Sequence, residues 1–124
     1  PKCMELKALS IRPFIGAENF RQSADFYSEL GFAETRISPT FSLFRNESIG
    51  FYLQDFYVRE WMENTVVFLE VQNMVICHSD LQALKLHEKF QGVKLSPVMS
   101  KEWGRECFLH DPSGALWHFG EFVK

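Results

Sequence analysis

The first half of the chain contains Ser23-Ala24-Asp25-Phe26-Tyr27-Ser28-Glu29-Leu30-Gly31-Phe32, in which a helix ends and a strand begins. Asn19 is a suitable N-cap residue, and Gly31 stands where helices commonly end in a left-handed conformation. Apolar residues recur at the spacing of one helix face, namely Phe20, Ala24, Tyr27 and Leu30. We therefore predict a helix from about Asn19 to Leu30 that packs one face on a sheet.

The order of these elements recurs in the second half of the chain. Residues 14–20 resemble residues 68–74, because each segment is a short apolar strand that runs into a polar break. Residues 43–48 likewise resemble residues 108–113. A second helix is expected to open at Ser79 or Asp80 and to end near Gly92. Each half therefore reads β-α-β-β-β, with further strands predicted at 32–37, 40–45, 48–54, 93–99, 105–110 and 115–122.

The composition is that of one globular domain, residues 1–124, built of module one (about 6–55) and module two (about 65–122) around a linker at 55–64. Of the 124 residues, 46% are apolar and 13 are Phe, which is enough to fill a core. The net charge of −3 provides no basic face for a nucleic acid. No apolar run reaches the length of a membrane span.

The three cysteines predict a reducing compartment. Cys3, Cys77 and Cys107 are odd in number and widely spaced, which argues against a disulfide framework. The first residues carry no apolar segment of the kind found in signal peptides. We therefore expect a cytoplasmic protein.

A second motif, Asp111-Pro112-Ser113-Gly114, is typical of a tight turn before the last strand. Together with residues 23–32, it resembles the S-x-x-F-Y-x-x-L-G-F and D-P-x-G motifs of the vicinal-oxygen-chelate superfamily of glyoxalases, bleomycin-resistance proteins and extradiol dioxygenases. The resemblance implies an α+β fold, in which paired βαβββ modules form a concave mixed sheet. It is strongest to the bleomycin-resistance type, whose last strand also carries a His and which uses no metal.

The resemblance also indicates where a metal would bind. Metal-dependent members take ligands from four equivalent strand positions, and counting from the motifs places these at Arg12, Leu53, Val66 and His118. The guanidinium of Arg stays protonated, and Leu and Val carry no donor atom. A divalent ion needs several converging nitrogen or oxygen ligands. We therefore expect neither a metal nor another cofactor.

Strand alternation predicts an apolar cup in place of the metal site. Arg12 could orient an anionic or carbonyl group of a ligand, or it could pair with a nearby acid. His118 could bond a ligand or act as an acid or base, or it could be a half-buried residue bonded to the backbone or to the acid that pairs with Arg12. Trp61 and Trp103, in loops, are candidates for capping the cup. The predicted lining consists of Arg12, Phe14, Phe51, Leu53, Val66, Phe68 and His118.

These features favour a metal-free protein that sequesters a small, partly aromatic molecule. The resemblance implies a homodimer with its pockets near the subunit interface. A metal-dependent lyase, isomerase or dioxygenase is the alternative, and whether the chain is an enzyme stays open. Such an enzyme would need ligands at other positions, for which the candidates are Gln54, Glu70, His110 and Glu121. A third possibility is a non-catalytic interaction domain whose cup is closed by its own side chains.

Overall fold

The computed structural model describes residues 4–123, so Cys3 lies outside the described residues. Two modules follow one another; module one has the predicted β-α-β-β-β order, and in module two the helix and the strand after it are each divided in two. Module one contains β1 (Phe14–Gly16), α1 (Phe20–Leu30), β2 (Ala33–Ser38), β3 (Phe41–Asn46) and β4 (Ile49–Gln54). A short helix, α2 (Arg59–Glu63), lies in the linker. Module two contains β5 (Val66–Glu70), α3 (Met74–Leu84), α4 (Leu86–Lys89), β6 (Lys94–Leu95), β7 (Met99–Lys101), β8 (Gly104–His110) and β9 (Leu116–Phe122).

Helix α1 forms as the sequence predicted. The Asn19 side chain accepts a hydrogen bond of 3.1 Å from the backbone N–H of Gln22, which satisfies one of the free donors at the helix start. Gly31 ends the helix at φ 115°, a left-handed conformation that glycine adopts without strain. Ala24, Phe26 and Tyr27 are buried on the face that meets the sheets.

The two sheets have equivalent topologies. In module one the strand order is β1-β4-β3-β2, and in module two it is β5-β9-β8-β6, with β7 beside β8. In each module the first strand pairs in parallel with the last, and the other pairings are antiparallel. The predicted α+β architecture of paired βαβββ modules is therefore confirmed. None of the helices within residues 4–123 has both the length and the apolarity to cross a membrane.

The two modules share one aromatic core. The Tyr27 ring of α1 lies 4.8 Å from the Phe51 ring of β4 and 5.6 Å from the Trp117 ring of β9, measured between centroids. The Phe26 ring also meets Phe90 edge-on at 5.6 Å. Aromatic pairs at such distances contribute beyond the area they bury. The helix-covered sides of both sheets therefore face each other within one chain.

A buried hydrogen-bond network crosses this core. The Tyr27 hydroxyl donates to Oδ2 of Asp111 at 2.6 Å and accepts from the Trp117 indole N–H at 2.9 Å. The backbone N–H groups of Ser113 and Ala115 donate to Oδ1 of Asp111, each at 2.9 Å. Burial raises the pKa of Asp111, and these donors oppose that rise because they stabilise the carboxylate. The Asp-Pro-Ser-Gly turn of module two is thus bonded to the helix of module one.

Module two departs from the sequence prediction in its helix. Helix α3 begins at Met74, ahead of the predicted Ser79 or Asp80, because Asn73 caps it by accepting from the Ile76 N–H at 3.0 Å. The helix breaks at Lys85, whose φ is 52°, and α4 carries the chain on to Lys89.

The predicted strand at 93–99 is also wrong, because the chain leaves the sheet between β6 and β7. Pro97 lies in this break and has no N–H to give to a strand pairing. The hydroxyl of the preceding Ser96 instead accepts a hydrogen bond from the Phe108 N–H at 2.8 Å.

Candidate ligand-binding site

Each sheet has a face opposite the shared core, here called the open face. On module one, Phe14 pairs with Tyr52 across β1 and β4, and their rings lie 4.9 Å apart. Phe41 of β3 completes an aromatic cluster, at 5.4 Å from Phe14. The Arg12 guanidinium donates to the Tyr52 hydroxyl at 3.4 Å and lies 5.9 Å from the centre of that ring. This open face therefore combines three aromatic rings with one cation.

Two residues of the predicted cup lie on the other side of this sheet. Phe51 is 2% exposed and Leu53 is 0% exposed, so both belong to the shared core. Leu53 pairs with Ile15, and residues that pair directly share a face. The prediction for Leu53 is wrong because Tyr52 is the counterpart of His118, and a slip of one residue changes the face. Phe51 lies on the same core side of the sheet but still forms part of the wall of a cavity at the junction of the modules.

The slip arises from two turns of different length. Only Glu47 and Ser48 separate the last paired residues of β3 and β4, whereas residues 111–115 separate β8 from β9. A residue count made along the turn between β8 and β9 therefore does not apply to the turn between β3 and β4. The internal repeat holds for the strands but not for the turns that join them.

The open face of module two carries a larger aromatic cluster. Phe68 of β5 pairs with His118 of β9, and its ring lies 5.8 Å from Trp103 and 5.6 Å from Phe122. The Trp103 and Phe122 rings are 5.1 Å apart. Phe68 remains 44% exposed, so the cluster is open to solvent. Val66 lies exposed on the same face, two residues before Phe68.

A carboxylate lies beneath these rings. Nδ1 of His118 is 3.1 Å from Oε1 of Glu106, which projects from the neighbouring strand β8. The Glu106 side chain is only 7% exposed, whereas that of His118 is 25% exposed. Phe108 meets the imidazole edge-on at 4.5 Å. The His118 ring is therefore half-buried and lies within hydrogen-bond distance of a carboxylate.

The predicted residues divide between two places. Arg12, Phe51 and Phe68 line one cavity of about 480 Å³ at the junction of the modules. Phe14 and Trp61 line a separate groove of about 360 Å³, where the Trp61 ring lies 5.6 Å from Phe56. His118 lines neither of these. The predicted residues of one chain therefore lie in separate places rather than in a single cup.

The four positions that the resemblance assigned to metal ligands do not fit a metal ion. Leu53 lies in the core, and Tyr52, bonded to Arg12, takes its place on the open face. Neither Arg12 nor Val66 offers a donor. Within residues 4–123 no three side chains of His, Cys, Asp or Glu come together as a ligand set. Of the alternative ligands, Glu121 accepts a hydrogen bond of 2.8 Å from the Met74 N–H at the start of α3.

Sequence reasoning missed five residues of the open faces, and strand parity could have found the three on module two; the five are Phe41, Tyr52, Glu106, Phe108 and Phe122. Phe108 pairs with His118, so it and Glu106 follow from the His118 face once β8 is placed antiparallel to β9. Phe122 follows by counting on from His118 along β9. Tyr52 required the register between β1 and β4, which no pattern in the sequence fixes.

No protein-family model matches the sequence, and no curated protein shows significant sequence similarity to it. Solved structures match it closely. The bleomycin-binding protein of bleomycin-producing Streptomyces verticillus, in complex with copper(II)-bleomycin, is similar at TM-score 0.79 and 22% identity over 96% of this chain and 100% of that one.

Two further structures extend this likeness. An antibiotic-binding protein from Streptomyces sp. CB03234 has TM-score 0.71 and 17% identity, covering 94% of this chain and 98% of that one. A glyoxalase/bleomycin resistance protein/dioxygenase from Nocardioides has TM-score 0.68 and 18% identity, covering 93% and 84%. The chain therefore has the fold of the bleomycin-binding proteins and of the glyoxalase/bleomycin resistance/dioxygenase domains, as the resemblance in its two motifs predicted.

Proposed function

We propose that this chain is a metal-free binding protein that sequesters a small, partly aromatic molecule. The ligand would lie against the open faces, in an apolar cavity near a homodimer interface. The predicted residues that keep a place in this proposal are Arg12, Phe14, Phe51, Trp61, Val66, Phe68, Trp103 and His118.

The observation that carries the proposal is the aromatic surface of both open faces. Phe14 and Phe68 lie on strands and are both exposed. An exposed aromatic ring contributes little to stability unless a ligand or partner covers it. Clusters of exposed aromatic side chains are typical of ligand and protein interfaces. Arg12 beside one cluster and His118 beside the other supply the few polar groups that commonly fix a ligand's orientation.

The exposed N-terminal segment supports a dimer. Residues 4–13 form neither helix nor strand, and Leu9 and Ile11 are 100% and 97% exposed. Met4 and Leu6 are exposed as well. An apolar segment this exposed within the described residues favours burial against a second copy. A second copy would also bring an additional open face to each cavity, which would close a site that one chain leaves open.

The similar structures support a ligand of antibiotic size. One of them is a complex with copper(II)-bleomycin, and another is described as an antibiotic-binding protein. The cavity of about 480 Å³ in one chain lies in the range typical of small-molecule sites. The proposed ligand is therefore an aromatic molecule chemically comparable to such antibiotics.

Titration calorimetry with two probes tests the proposal, copper(II)-bleomycin and 1-naphthaleneethanol. We expect at least the aromatic alcohol to bind and to raise the melting temperature, because a ligand selective for the folded state must stabilise it. Phe68→Ala should weaken binding by about tenfold, the effect of losing one stacked ring. Phe20→Ala on α1 makes the same substitution away from the open faces and should leave the affinity unchanged.

Sedimentation equilibrium tests the dimer separately. The wild-type chain should sediment as a dimer, and Leu9→Asp combined with Ile11→Asp should shift it towards monomer, because charged groups are costly to bury in an apolar contact. A monomeric wild-type chain would contradict the interface, and failure of both probes to bind would contradict the binding function.

A further inference from the structure

The buried Glu106 side chain has no Lys or Arg partner within residues 4–123, and its one side-chain hydrogen-bond partner there is the His118 ring. Its carboxylate is 7% exposed, and its only side-chain hydrogen bond in that range is the one of 3.1 Å to His118. No Lys or Arg of the described residues lies within 4.0 Å of it. A buried carboxylate is unfavourable unless a positive or donor group compensates it. Burying the Glu106 carboxylate at this position therefore lowers the stability of the folded chain.

The surroundings of Glu106 are aromatic. Gly120 lies directly across from it on β9, and a Cβ atom at Gly120 would collide with the Phe68 ring. The ring thus occupies the space that a side chain at this position would fill. Trp103 and Phe122 pack against Phe68 and extend the aromatic surface outward. Aromatic faces attract cations through their negative π-surfaces, and the attraction grows when water is excluded.

The imidazole is placed between the carboxylate and solvent. When Nδ1–H donates to Glu106, a neutral ring leaves Nε2 as a hydrogen-bond acceptor. A carboxylate behind an imidazole fixes its tautomer and the orientation of its ring. His118 is more exposed than Glu106, so a ligand reaches the ring first. The pair is thus built to accept a hydrogen bond from a positively charged donor.

We propose that Glu106 and His118, walled by Phe68, Trp103 and Phe122, form a subsite for a protonated amine carried by the aromatic ligand. The inference rests on the proposed binding function and specifies in addition that the ligand is positively charged. His118 accepts the N–H of the ammonium group, and Glu106 acts through His118 as a positioning residue that compensates the charge. The aromatic part of the ligand stacks on the neighbouring rings.

Arg12 does not compete for this role. Its guanidinium is bonded to Tyr52 on the open face of module one, whereas Glu106 and His118 lie on module two. One open face is therefore suited to a negative or carbonyl group and the other to a cation. The amine is assigned to module two because the only buried acid on either open face of the described chain is Glu106.

Three probes that share one ring test the proposal, 1-naphthaleneethylamine, 1-naphthaleneethanol and 1-naphthylacetate. At neutral pH they carry a positive, no and a negative charge. Binding is followed by shifts in the ¹H–¹⁵N NMR spectrum, with the Trp103 indole N–H as a reporter on the site. We expect the amine to bind about tenfold more tightly than the alcohol, the gain typical of a hydrogen bond to a charged group. The acetate should bind most weakly.

Two variants separate local from general electrostatics. Glu106→Gln keeps the size of the side chain and an oxygen that can accept from His118, but it removes the charge. It should reduce the preference for the amine to about twofold or less, while the alcohol binds as before. Glu102→Gln removes the same charge from an exposed turn residue and should keep the full preference. The melting temperatures of both variants show that they are folded.

Each outcome bears on one proposal or on both. Equal binding of amine and alcohol by the wild-type chain would overturn the cation subsite and leave the aromatic binding function standing. A preference that survives in Glu106→Gln would also overturn it, as would tighter binding of the acetate. If none of the three probes binds, both the subsite and the proposed binding function are overturned.

Discussion

Removal of the Tyr27 hydroxyl tests whether the buried network holds the two modules together. In Tyr27→Phe, Asp111 loses the donor at 2.6 Å and the Trp117 indole N–H loses its acceptor at 2.9 Å. A hydrogen bond to a charged group contributes about 1.5–3 kcal/mol and a neutral one about 0.5–1.5 kcal/mol. We therefore expect unfolding free energy to fall by about 2–4 kcal/mol at pH 7.

Chemical denaturation and thermal melting measure this loss. For a chain of this size the melting temperature should fall by about 10 °C. Tyr52→Phe is the matched control, because its hydroxyl lies on an open face and accepts a single bond of 3.4 Å from Arg12. That variant should lose less than about 0.5 kcal/mol.

The loss should also depend on pH. Burial raises the pKa of Asp111 in the folded protein above its ordinary value of 3.8, so its contribution to stability declines as pH rises through the folded pKa. Without the Tyr27 donor the folded pKa rises further, so the variant loses more stability at pH 7 than near pH 3. Burial also raises the pKa of Tyr27 well above its usual value, which keeps its hydroxyl a donor throughout this range.

Two results would refute this reasoning. The first is a loss in Tyr27→Phe no larger than that in Tyr52→Phe. The second is a difference between wild type and Tyr27→Phe that stays constant from pH 3 to pH 7, which would mean that the Asp111 carboxylate does not depend on the phenol.

Further expectations concern a glycine and the cysteines. Gly120→Ala should displace the Phe68 ring and weaken binding of 1-naphthaleneethanol severalfold in calorimetry, because the added Cβ collides with that ring; an unchanged affinity would show that the ring plays no part. Burial raises the pKa of the Cys107 thiol to about 12, so little reactive thiolate forms there at pH 8. In a Cys3→Ser background, a disulfide reagent at pH 8 should therefore modify the half-buried Cys77 well before Cys107. Peptide mass spectrometry measures the order of modification.

The fold could be predicted because its signals are local. Asn19 and Gly31 mark the two ends of α1 by cap chemistry that needs no knowledge of the rest of the chain. The start of α3 was harder to see, because its exposed face carries Val75 and Ile76 and the helix has little contrast between its sides. Asn73, the equivalent of Asn19 in the repeat, was nevertheless the cap.

The candidate site could be predicted only in part, because it depends on register between strands. The faces of Phe14, Phe68 and His118 follow from alternation within a strand. The face of Leu53 depends on which residue of β1 it pairs with, and that pairing is fixed by tertiary packing. Glu106 is a charged residue in an apolar strand, and its burial beside His118 becomes visible only when β8 and β9 are aligned.

The bond between Tyr27 and Asp111 spans 84 positions of sequence, and the Trp117 contact spans 90. Folds dominated by such distant contacts fold slowly, because long loops must close before the contacts stabilise them. During synthesis the first module emerges well before its hydrogen-bond partners do. The core of module one therefore stays incomplete until residues 111–117 leave the ribosome. A nascent chain stopped before these residues would expose the face of α1 that carries Tyr27.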